Sequence, residues 1–114
     1  MKLFTKEIET RLLANGRNRD QDHPPVVKIF NPMGSATWLI NEMDPATTDL
    51  LFGLCDLGMG SPEYGSVSRA DLENFRNNLT GLGLERDLFF KGGLPMSRYM
   101  DAAIKAGHIV DNLL

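Results

Sequence analysis

Cysteine occurs once, at Cys55, in a chain of 114 residues. No internal disulfide can form, so the fold must stand on packing alone. No apolar run approaches the ~20 residues that span a bilayer. The opening Met1-Lys2-Leu3-Phe4-Thr5-Lys6-Glu7 reaches an acidic residue too soon for the apolar stretch of a signal peptide. A lone thiol, no span and no leader lead to an expected cytoplasmic location. The nucleotide-binding fingerprints are missing as well. Gly58-Met59-Gly60 lacks the third glycine at the required spacing, and no Gly-Lys-Ser/Thr occurs. His23 and His108 are too dispersed to make a zinc set with one cysteine. No serine sits in a nucleophile-elbow pattern.

Positive charge is missing from a long central block. Residues 29 to 68 contain no lysine or arginine, yet hold Glu42, Asp44, Asp49, Asp56 and Glu63. The net charge of -3 comes from this block. Such a balance argues against direct nucleic-acid binding, which depends on neutralising phosphates. It suits a basic protein partner or a hard cation; the plainer reading is a strand-rich stretch with an acidic solvent face.

What is present reads as one α+β domain over residues 1–114. Thr5 can cap a helix over Lys6 to Asn15, with Ile8, Leu12 and Leu13 on one face and Gly16 supplying a left-handed end. After a polar loop ending at Pro24-Pro25, four strands are expected: Val26 to Phe30, Ala36 to Glu42, Leu50 to Leu57 and Glu63 to Val67. Their short connections imply antiparallel pairing. The third is nearly all apolar, as strands covered on both faces are. Ser68 opens a second helix through Leu72 and Phe75, and Glu85 to Lys91 reads as a fifth strand. Pro95 begins a third helix that runs to Gly107. The order α-β-β-β-β-α-β-α predicts a mostly antiparallel sheet of about five strands with helices packed on one face, and a loosely docked tail from His108 to Leu114.

The densest candidate for chemistry is Phe52 to Gly65. Asp56 ends the third strand at a glycine-rich turn and Glu63 starts the return strand, so the two could face each other as an acid/base pair or hold a divalent metal, the one cofactor this segment suits. The plainer reading has the glycines supplying positive φ, Asp56 bonding turn amides and Glu63 solvated. Tyr64 follows directly. Trp38 and Glu42 alternate onto one side of the second strand, where they could floor a pocket, with Asp44 just beyond; otherwise Trp38 is a core anchor. Cys55 has a carboxylate neighbour that opposes thiolate formation, so it reads as inert. Arg11, Arg17 and Arg19 form a modest basic patch or a solvated loop.

Leu12-Leu13-Ala14-Asn15-Gly16, Pro25-Val26-Val27-Lys28-Ile29-Phe30, Ala36-Thr37-Trp38-Leu39, the run Phe52 to Gly60 with Pro62-Glu63, and Glu85 to Lys91 together resemble one family. It is a group of short bacterial proteins classed as a domain of unknown function, carried on plasmids, phages and integrative elements, and the resemblance covers roughly residues 1 to 107. It implies an accessory protein of mobile DNA and brings no activity or catalytic residue. The expected function is therefore a non-enzymatic protein-binding module with an acidic surface. Its partner would be a host-defence or nucleic-acid-handling complex, such as a basic nucleic-acid-binding protein. The alternatives are a small metal-dependent hydrolase or nuclease-like enzyme using Asp56 and Glu63, and a structural homodimer joined at a sheet edge.

Overall fold

The computed structural model describes residues 1–113. Helix α1 covers Lys6–Gly16, capped by the Thr5 hydroxyl, which accepts from the Ile8 amide at 3.2 Å. Five strands follow in one sheet: β1 Val27–Phe30, β2 Thr37–Met43, β3 Leu50–Asp56, β4 Glu63–Ser68 and β5 Glu85–Arg86. The first four form an antiparallel meander and β5 pairs with the outer side of β1, giving the order β4-β3-β2-β1-β5. Helix α2, Arg69–Asn74, follows β4, and α3, Met96–Ala106, closes the order. The α+β class and the order of elements are those expected.

Cross-strand partners share a face, so the register sorts the core into two layers. Val27, Ile29, Ile40, Met43 and Leu51 pack with Leu12 of α1 and Leu72 of α2. Leu39 and Leu54 point the other way and pack with Met96, Tyr99 and Ala103 of α3. Helices therefore cover both faces, not one. The physical reason lies in β3, where Leu51 and Leu54 are both fully buried and need apolar cover on opposite sides.

Three other expectations change. Gly16 does not adopt a left-handed conformation; it ends α1 buried against the Met43 backbone, and the left-handed cap belongs to Gly107 after α3, at φ 78°. The fifth strand stops after two residues, because the Asp87 amide makes a last bond to the Lys28 carbonyl and the Asp87 carboxylate then accepts from the Phe89 amide, turning the chain away. The tail is docked: Ile109 and Leu113 join the α3 layer, the Ile109 amide donates to Asp56, and Lys28 pairs with Asp111 at 2.6 Å. Residue 114 of that tail lies outside the described residues.

Asp49, in the β2–β3 turn, accepts from the Ser68 hydroxyl at 2.6 Å and the Ala70 amide at 2.8 Å, fixing the start of α2. These bonds hold its carboxyl below its ordinary value, and the Arg69 hydrogen bond does the same for Glu9. A carboxylate lowered on folding stabilises the native state above its unfolded pKa, and that contribution is lost as pH falls through the folded value. We therefore expect thermal stability to fall on acidification below about pH 4, and to fall less steeply in Asp49→Asn, as measured by midpoints from about pH 7 to pH 2.5. A variant as acid-sensitive as the wild type would remove Asp49 from that account.

Candidate functional site

The site is built on an irregularity in β2. Ile40 pairs with Gly53 and Glu42 with Phe52, so Asn41 is an extra residue with no partner on β3. Such a bulge flips the alternation beyond it. Trp38 consequently lies on the α1 face, opposite Cys55, whereas Glu42 is turned to the α3 face beside Phe52. The expected pairing of Trp38 with Glu42 on one side fails for this reason.

The bulge residue is fully used. The Asn41 carbonyl accepts from the Asn15 amide group at 2.9 Å, its side-chain nitrogen donates to the His23 carbonyl at 3.0 Å, and its side-chain oxygen accepts from the Tyr64 hydroxyl at 2.9 Å. Three separate segments, α1, the 17–25 loop and β4, are thereby tied to one position. Burial and then the Glu42 carboxylate push the Tyr64 phenol above its ordinary pKa, so it remains a donor through the neutral range.

Glu42 is buried, its side chain only 4% exposed. Arg19 reaches it from the loop, Nε to Oε1 at 2.7 Å, and lays its guanidinium over the Phe52 ring with Cζ 3.5 Å from the centroid. The bond to Glu42 raises the Arg19 pKa further. Above this pair lies a cleft of about 220 Å³, walled by Met96 and Met100 of α3 and rimmed by Gln21, Asp22, Tyr64 and Ser97. Asp22 anchors the rim by accepting from the Ser97 amide at 3.1 Å, which supplies the start of α3 with the side-chain partner that Pro95 cannot give.

Of the residues expected to matter, the structure brings Glu42 and Tyr64 together here. It separates Asp56 from Glu63. Asp56 pairs with Thr37 on the α3 face, while Glu63 pairs with Cys55 on the α1 face and is exposed. Asp56 is buried, one oxygen accepting from the Gly58 amide at 2.8 Å and the other from the Ile109 amide at 2.9 Å. Gly58 and Gly60 take φ of 80° and 82° in the turn it anchors. Asp44 accepts from the Ala46 and Thr47 amides. Cys55 is held as a thiol, its pKa raised by burial and by Glu63. Among the described residues no group of three or more His, Cys, Asp or Glu side chains converges.

These bonds redraw the acidic block. Glu42, Asp44, Asp49 and Asp56 are all engaged with protein donors, and of the five only Asp49 and Glu63 are exposed. Asp56→Asn retains one acceptor oxygen and replaces the other by a donor facing an amide. A loss of about 1–2 kcal/mol is expected, with faster hydrogen exchange at the Ile109 amide. Unchanged exchange there would show that Asp56 does not hold the tail.

The residues missed from sequence are Asp22, Asn41, Met96 and Met100, and Arg19 was read only as part of a basic patch or a solvated loop. Arg19 and Asp22 sit in a loop whose composition reads as solvated, and their partners lie 23 and 75 positions away. The one local signal was Met96 and Met100 at helical spacing.

The chain matches the family model described as protein of unknown function (DUF2958) over residues 3–110, and it belongs to that family. No curated protein and no solved structure matches it. Among the described residues no helix is long and apolar enough to cross a membrane.

Proposed function

We propose that this family member is a non-enzymatic protein-binding module, an accessory protein of bacterial mobile elements, and that it meets its partner through the α3 face. The observation that carries this reading is the cleft over the bulge. It presents a tyrosine, two methionines and an arginine, residue types enriched where proteins meet, beside β4, the last strand of the sheet. The two carboxylates of the enzyme alternative lie apart, which favours this reading over it: Asp56 is buried and holds the tail, whereas Glu63 is exposed on the opposite face. A broad acidic surface is correspondingly a poor basis for recognition here, and the shaped cleft a better one.

The test uses the intact chain as bait in a bacterial lysate at moderate salt, beside Met100→Lys. Met100 is partly buried and packs against the α3 layer, so the captures are compared at a temperature where the melting curve shows the variant folded. A specific protein retained by the wild type and lost by the variant is the expected result. Identical captures from both would remove the cleft from the reading, and no specific capture would remove the reading itself.

A further inference from the structure

Resting on that reading, we propose that the cleft above Glu42 receives a lysine side chain of the partner protein. A carboxylate offers about four acceptor sites. Arg19 is the one side chain within hydrogen-bond distance of Glu42 among the described residues, and one guanidinium edge fills at most two of those sites. Arg19 cannot swing in to fill the others without leaving the Phe52 ring on which it lies. Glu42 therefore keeps unfilled acceptor capacity at the floor of an open cleft.

The lining carries one positive charge, Arg19, against two negative ones, Asp22 and Glu42. Arg19 offsets Glu42, while Asp22 gives one oxygen to the Ser97 amide and keeps the other, so the lining holds a net formal charge of -1 with acceptor sites on both carboxylates. The sulfur-bearing walls, Met96 and Met100, suit an aliphatic stem and adapt to its shape. A cation on a flexible apolar stem satisfies both halves. Lysine fits better than arginine because an ammonium directs three donors tetrahedrally toward acceptors on different residues, whereas a guanidinium needs a coplanar fork, and the Arg19 guanidinium already stands against Glu42 Oε1. An anion would enter a lining of net negative charge, and a neutral chain would leave those acceptor sites empty.

The experiment follows the methionine methyl signals of the full chain by NMR while adding Nα-acetyl-lysine N-methylamide. Parallel titrations use the norleucine, arginine and glutamate counterparts. Saturable shifts at Met96 and Met100 with the lysine probe are expected in the range of roughly 1–10 mM, weakened several-fold by 0.5 M salt and roughly tenfold in Glu42→Gln. The salt arm needs no variant and stands even if Glu42→Gln unfolds. Equal binding of norleucine overturns the proposal in favour of a plain apolar slot. Preference for glutamate or arginine overturns it too, as does the absence of saturable shifts. Competition separates the two readings: a captured partner that excess lysine probe does not displace sinks the lysine assignment alone, whereas lysine-probe binding without any captured partner sinks the protein-binding function and, with it, a partner's lysine as the occupant, leaving a site for a free lysine-like cation.

Discussion

Gly16→Ala should destabilise the protein by about 3 kcal/mol, although the same change in an ordinary helix interior gains up to about 1 kcal/mol. Gly16 closes α1 with ordinary helical geometry, so no left-handed strain argues against alanine. The obstacle is packing: a methyl group built there falls on the carbonyl oxygen of Met43, with the carbonyl carbon only 2.8 Å away. Both partners are backbone, and neither can rotate aside as a side chain would. Relief requires α1 to lift from β2, which loosens the layer formed by Leu12, Ile40 and Met43. It also strains the bond from Asn15 to the Asn41 carbonyl, so the bulge and the cleft lose a support. Urea denaturation decides the sign. Stability equal to or above the wild type would mean that α1 does not approach the sheet as described.

That glycine shows how much the sequence conveyed. Local signals were sound where the competing forces are local: Thr5 and Ser68 cap their helices, the Asn31 turn joins β1 to β2, and Glu63 to Ser68 returns beside β3. A glycine after an apolar helix fits a left-handed cap and a close-approach position equally well, and only the distant Met43 backbone chooses between them. The bulge was hidden in the same way. Strict alternation put Trp38 and Glu42 on one face, and nothing between them marks an extra residue; Asn41 is held out of register by groups 18 to 26 positions away. The apolar run in β3 did carry a signal for helices on both faces, and the inference to a single covered face set it aside. For the site, Glu42 and Tyr64 were legible as polar residues at a strand's end. Arg19 was not, because its role depends on a loop folding back over Phe52.

Arg19→Met should therefore lower stability by about 2 kcal/mol at neutral pH, the second large effect. Removing one partner of a buried ion pair costs roughly 3–5 kcal/mol when the other charge is left stranded, and the 48% exposure of the Arg19 side chain calls for a discount. Methionine keeps an apolar stem over Phe52, so most of the loss reports the unpaired Glu42 carboxylate and not missing packing. Glu42→Gln alone should cost about 1 kcal/mol, since an amide oxygen still accepts from Arg19. Combining the two replaces a stranded charge by a neutral group, and the double variant should regain about half of the Arg19→Met loss. Chemical denaturation of all four proteins closes this cycle. Strict additivity would place Arg19 and Glu42 outside any energetic partnership. A recovered double variant with a quiet cleft in the lysine-probe titration would show that the pair both steadies the bulge and supplies the charge that an incoming ammonium reads.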